Sequence, residues 1–244
     1  RVAAGIAHEV KNPLVAVRTF AELLPEQYED PEFRDGFSKL VLQEVDRIDG
    51  LIAQLLNYAR PKPPKLEPVD LNKLIQETLQ LVNYQFTRQQ ILIQNKLSTG
   101  LPLIMADVSQ IRQVILNIIL NATQVMPDGG SLRLTTRVPW ATPKHDAASY
   151  LLPTAEMVEV EIANSGPQIP QDQREQLFEP FFSTRSNGTG LGLSICKRII
   201  TEHHGQIWVS TTEDGLTAFL LRLPTTTSQA PEGTQGSPRE SLKK

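Results

Sequence analysis

The residues best equipped for chemistry lie near the start of the chain, in His8-Glu9-Val10-Lys11-Asn12-Pro13. Around them Ile6, Val10, Leu14, Val17, Ala21 and Leu24 recur at steps of three and four, the apolar stripe of one helix face. At about 100° per residue, His8 falls roughly 170° from the centre of that stripe. Its imidazole is therefore predicted to face solvent rather than a core. Asn12 stands one turn above it and Glu9 alongside, so carboxylate, imidazole and amide share one surface. A neutral imidazole nitrogen is a competent nucleophile near neutral pH, and an adjacent carboxylate can accept or orient the proton on the other ring nitrogen. An amide in the place of Asn12 can hold a water for hydrolysis of a phosphoryl group. Pro13 releases the carbonyl of Glu9 from its helical partner, which predicts a kink beside the histidine. Val15 projects near the His8 side as a candidate docking contact.

A second constellation is spread through the rest of the chain. Gly188-Thr189-Gly190-Leu191-Gly192-Leu193 comes just before a helical pattern, Ser194 to His204. Glycines let backbone amides approach a triphosphate, and a following helix N-terminus adds partial positive charge. The run is neither a P-loop nor a full dinucleotide fingerprint. Upstream, Asn117 and Asn121 stand four apart on one helix face among Ile and Leu. Their amides need partners, which a Mg²⁺ ion and phosphate oxygens would supply. Two further segments, Asn164-Ser165-Gly166-Pro167-Gln168-Ile169-Pro170 and Phe178 to Arg185, complete a set of four in fixed order.

These residues need elements to position them. Residues 1–60 read as a helical hairpin, its second stripe running Phe37, Val41, Val45, Ile48, Ile52, Leu55, Ala59. Two such helices bury their stripes poorly alone, and the heptad-like spacing predicts a homodimer that closes a four-helix bundle. Residues 61–69 form a proline-rich linker, with Pro61, Pro63, Pro64 and Pro68 favouring a stiff, extended connector. Residues 70–224 form the second domain. Helices are expected at 70–86, 107–126 and 189–204, and strands at 91–97, 131–138, 157–163, 206–211 and 216–223. Without regular βαβ alternation, this is an α+β sandwich: helices on one face of a mostly antiparallel sheet. Residues 139–155 read as a surface loop and 225–244 as a disordered tail.

Composition narrows the function classes. Across 244 residues, 24 Lys+Arg against 27 Asp+Glu give a net charge of −3. That argues against a nucleic-acid or anionic-lipid binder. No apolar run approaches the ~20 residues of a membrane span, so no membrane contact is expected of this segment. The single cysteine, Cys196, excludes an internal disulfide framework and fits a reducing, cytoplasmic location. The chain opens at Arg1 inside a helical pattern and is expected to be a fragment, whose intact parent could be membrane-anchored.

HEVKNPL resembles the phospho-acceptor box of sensor histidine kinases. NIILNA, NSGPQIP, FEPFFSTR and GTGLGL resemble the successive N, first glycine, F and second glycine boxes of their ATP-binding domain, shared with the gyrase, heat-shock chaperone and MutL ATPases. The resemblance covers about residues 1–224, and the spelling His-Glu-x-x-Asn-Pro is most similar to nitrogen-regulation sensor kinases. It implies ATP and Mg²⁺, with His8 phosphorylated and its phosphoryl group passed to an aspartate of a response-regulator receiver domain. Glu9 would be the general base, and Asn12 would assist dephosphorylation of the partner. Asn121 would bind the metal with Asn117 nearby, and Asn164 and Gly166 would belong to the adenine pocket. Gly188, Thr189, Gly190, Leu191 and Gly192 would form the phosphate-cradling turn, with Arg185 reaching the γ-phosphate in place of the more usual Lys. Two departures stand out: Asn164 replaces the usual Asp, and Gln168 the second glycine of its box. An amide can accept from the adenine amino group and donate to the ring, but a flipped amide could serve guanine. Two rivals are carried forward: a degenerate binding module, and an ATPase-driven clamp, whose members use a glutamate base where this chain has Asn117.

Overall fold

The computed structural model describes residues 2–59, 63–139, 157–183 and 190–226. Within the helices, the side chains of residues 2–9, 53, 54 and 56–59 lie outside the description, as do the expected loop from residue 140 onward and the expected tail beyond 226.

The hairpin consists of α1 (Val2–Gln27) and α2 (Pro31–Ala59). α1 runs through Pro13 and Pro25, so the helix continues past the position of the expected kink. The turn is three residues long. Pro31 opens α2, where a missing N–H costs nothing and φ is already helical, and Asp30 Oδ1 accepts from the Glu32 amide at 2.9 Å. Phe20 and Phe33 stack across the two helices, centroids 5.8 Å apart. Part of both stripes stays open: Leu14 is 53% exposed, Val45 47% and Ile52 45%.

The second domain is built on a five-stranded sheet in the order β2-β4-β5-β7-β6. Its strands are β2 (Ile91–Leu97), β4 (Gly130–Arg137), β5 (Met157–Asn164), β6 (Gln206–Thr211) and β7 (Thr217–Pro224). β2 and β4 pair in parallel, and all other pairs are antiparallel. Three helices pack on one face: α3 (Leu71–Arg88), α4 (Val108–Gln124) and α5 (Gly192–Glu202). The core between layers includes Ile75, Ile115, Ile119, Leu134, Val160 and Ile195, all at 1% exposure or less. On β5, alternation sends Val158, Val160 and Ile162 into that core and Glu159 to the opposite face. Glu159 is nonetheless buried, accepting from Arg222 Nε at 2.7 Å and from Arg137, since a charge withdrawn from water needs such partners.

Two short strands were not expected from the pattern. β1 (Glu67–Val69) pairs antiparallel with β3 (Ile104–Ala106). The last third of the proline-rich stretch is thus extended, but hydrogen-bonded to the second domain rather than free. Thr225 bridges Ile104, and the Thr226 amide donates to Leu103 O at 2.9 Å, so the first two residues of the expected tail are fixed.

Asp107 caps α4, its Oδ1 accepting from the Ser109 and Gln110 amides. Burial pushes its carboxyl up, but hydrogen bonds from the Ser109 hydroxyl and the Lys65, Gln110 and Ser109 amides outweigh this and hold it down at about 2. Because an unfolded Asp titrates near ~3.9, the stabilisation is complete above about pH 4 and is lost as pH falls through the folded value. Asp107→Ala is expected to cost about 1 kcal/mol at neutral pH and to flatten the acid limb of stability below about pH 4, checked by urea melts across pH.

Candidate functional site

Beside α4, between the sheet and the start of α5, lies a cavity of about 560 Å³. Asn117 and Asn121 line it from α4, Asn164 and Thr217 from the ends of β5 and β7, and Gly190 and Gly192 from the glycine run. Sequence segments up to 100 residues apart are therefore brought to one place by the sheet order and by the packing of α4 on α5.

At the sheet end, Asn164 is 2% exposed. Its amide is satisfied at both ends in one orientation only: the nitrogen donates to Thr217 O at 3.2 Å and the oxygen accepts from Gly166 N at 3.0 Å. Reversing it would set acceptor against acceptor and donor against donor. Gly166 does not line the cavity. It sits behind Asn164, where a Cβ would meet Val125 Cγ2 at 2.6 Å and the Asn164 amide at 2.7 Å. The following loop is tied to the β6–β7 hairpin. Thr217 Oγ1 donates to Pro167 O at 3.0 Å, Gln168 Nε2 to Gly215 O at 3.1 Å, and Arg174 to Thr211 Oγ1 at 2.8 Å. The Gln168 side chain thus anchors this loop while still bordering the cavity.

At the α5 end, Asn117 Nδ2 points to Gly192 O at 3.5 Å and to Cys196 Sγ at 3.8 Å, joining α4 to the first turn of α5. Cys196 is fully buried, which pushes its thiol up to about 12 and makes it a packing residue rather than a nucleophile. Among the described residues no side chain caps α5 at Leu191, and the partial positive charge of a helix N-terminus favours an anion there. Leu191 itself is 2% exposed, its side chain in the core and its carbonyl accepting from the Ser194 hydroxyl at 2.9 Å. Gly190 has φ +61°, and its carbonyl accepts from the Phe181 amide at 3.0 Å. Arg185, Gly188 and Thr189 lie outside the described residues. An amide oxygen on Asn121 is a hard donor of the kind Mg²⁺ takes from protein, one or two ligands beside substrate phosphates.

In the hairpin, His8 and Glu9 fall within α1, but their side chains lie outside the described residues. Asn12 is exposed, as its place on the helix predicted. Sequence reasoning missed Thr217 and Gln173 as lining residues. Thr217 opens a strand that reads simply as apolar, and nothing in its neighbours marks it.

Comparison with known proteins places these features. The family described as "Histidine kinase-, DNA gyrase B-, and HSP90-like ATPase" matches residues 106–227, and "His Kinase A (phospho-acceptor) domain" matches residues 1–64. The signal transduction histidine-protein kinase AtoS of Escherichia coli is 36% identical over 91% of this chain and 34% of its own length. The sensory histidine kinase/phosphatase NtrB of Vibrio alginolyticus is 35% identical over 90% of this chain and 61% of its own. The chain spans 28% to 61% of the length of the curated relatives it matches. Among solved structures, histidine kinase ThkA in complex with the response regulator TrrA aligns with a TM-score of 0.75 and 28% identity, over 93% of this chain and 62% of that one.

Proposed function

Because the chain belongs to the histidine kinases, carrying both their phospho-acceptor and ATP-binding domains, we propose that it transfers the γ-phosphoryl group of ATP to His8 and then to an aspartate of a response-regulator receiver domain. The observation that carries this is the cavity itself: two α4 asparagines, a fixed amide at Asn164 and the Gly190–Gly192 turn converge in a chain whose first helix bears His-Glu-x-x-Asn-Pro.

In the transfer, an imidazole nitrogen of His8 forms the new P–N bond, the bond to the ADP oxygen breaks, and Glu9 takes the ring proton. Such a step is mostly positioning and charge neutralisation. Asn121, with Asn117 beside it, would hold Mg²⁺, which offsets phosphate charge when bound. Gly188, Thr189, Gly190, Leu191 and Gly192 would offer backbone amides, and Arg185 a guanidinium, to the phosphates. The fixed polarity of Asn164 supports adenine over guanine: its oxygen keeps a lone pair for the exocyclic amino group, and the flip that guanine requires is blocked. Asn164→Asp replaces the amide by a group that only accepts, and it is expected to tighten ATP relative to GTP, read by competition. Equal preference in both proteins would remove Asn164 from the base contact.

The half-exposed stripe residues Leu14, Val45 and Ile52 support a homodimer through the hairpin. Among the described residues no helix is long and apolar enough to cross a membrane. Because ATP is a cytoplasmic substrate, the segment is assigned to the cytoplasm. The kinase/phosphatase pairing in the name of NtrB supports the same pairing here, and Asn12→Ala is expected to keep autophosphorylation within about threefold while slowing loss of phosphate from the regulator at least tenfold. Joint loss of both activities would instead give Asn12 a role in the kinase step.

Incubation with γ-labelled ATP tests the function. Acid-labile, base-stable label on the chain supports the kinase. Steady phosphate release without label would support a clamp, and neither product a binding scaffold.

A further inference from the structure

Among the buried ionisable side chains that the proposed chemistry leaves unused is His203, with 0% exposure. Its Nδ1 lies 2.8 Å from Ile199 O, and its Nε2 accepts from the Asp107 amide at 3.0 Å. A carbonyl only accepts and an N–H only donates, so Nδ1 carries the hydrogen and Nε2 presents a lone pair. The ring thereby joins the C-terminus of α5 to the N-cap of α4. On the other side of the same residue, Asp107 Oδ2 accepts from the Lys65 amide at 3.0 Å, in the stretch leading out of the hairpin. Two residues further on, β1 pairs with β3, which ends at Ala106.

One polar node therefore holds three parts together. α4 carries Asn117 and Asn121, and α5 begins at the glycine turn. The linker enters through a bond to the carboxylate of Asp107. A shift of α4 against α5 moves Asp107 relative to His203, and the carboxylate that holds the Lys65 amide moves with it. We infer that His203 is a positioning residue that couples occupancy of the cavity to the linker through Asp107 and Lys65. The coupling rests on the reading of the cavity as the nucleotide site.

The test is residue-resolved amide exchange on the whole chain, with and without a saturating non-hydrolysable ATP analogue and Mg²⁺. In the parent protein the analogue slows exchange at Lys65 on the order of tenfold, within the usual span of coupling between sites. His203→Asn keeps a donor toward Ile199 but loses the acceptor for Asp107, and it abolishes that response while analogue affinity stays within about threefold. His203→Gln, whose longer amide can again accept from Asp107, restores it. Asp107→Ser keeps a cap for α4 and removes the acceptor for Lys65, so it abolishes the response without touching His203, which keeps the proposal testable if His203→Asn folds poorly. A Lys65 response unchanged in both variants, or absent from a parent protein that binds the analogue, overturns the coupling alone. Failure of the parent to bind the analogue overturns the nucleotide site and the coupling with it.

Discussion

Gly190→Ala is expected to weaken Mg·ATP binding roughly a hundredfold, equivalent to about 2.8 kcal/mol, while leaving the hairpin folded. A Cβ on Gly190 would lie 2.5 Å from Phe181 C, 2.7 Å from Phe181 Cα and 2.8 Å from Phe182 N. All three are backbone atoms, which cannot swing aside as a side-chain tip can. The neighbour has no slack either. Phe181 has φ +66°, a left-handed conformation that costs a non-glycine residue about 1–2 kcal/mol, and its amide is bonded to the Gly190 carbonyl. Relief of the clash therefore requires opening the contact between the F segment and the glycine turn, which both border the cavity. Gly192 is the internal control, because its Cβ would meet nothing nearer than Asn117 Nδ2 at 4.0 Å. Calorimetric titration should find Gly192→Ala far closer to the parent than Gly190→Ala. Equal losses would mean that the contact with Phe181 is not what shapes the turn.

Much of this arrangement was legible in the sequence because it is written in period and composition. The stripes of α3 and α4, with 3.6-residue spacing, read as helices within two residues of those observed, and the apolar or alternating runs read as β4 and β5 within one. Asn117 and Asn121 were legible as a pair because helix geometry alone puts residues four apart on one face. What stayed hidden depends on contacts through space. β1 and β3 have three residues each, too few to show any period, and exist because they pair with each other. Gly166 looks like a lining residue by its position in a glycine box, yet its use is to let Asn164 and Val125 pack closely. His203 binds a backbone amide 96 residues away, and no local pattern announces that. The polarity of Asn164 is likewise set by Thr217, a strand residue with no distinguishing neighbours.

The second large effect concerns the acceptor. His8→Gln keeps a neutral, hydrogen-bonding side chain on α1 but has no nucleophilic ring nitrogen, and it is remote in sequence from every cavity residue. The variant is expected to bind Mg·ATP within about twofold of the parent and to lose autophosphorylation by at least a thousandfold. Reduced nucleotide binding would instead place His8 within the ATP site in the resting protein.

Four histidines compete for the role: His8, His145, His203 and His204. Peptide mapping of the chain after exposure to Mg·ATP, carried out under alkaline conditions that preserve phosphohistidine, separates them directly. The account predicts one phosphoryl group per labelled chain, carried by the peptide that contains His8. A phosphoryl group on another histidine, or a chain that turns over ATP with His8 unmodified, would contradict it.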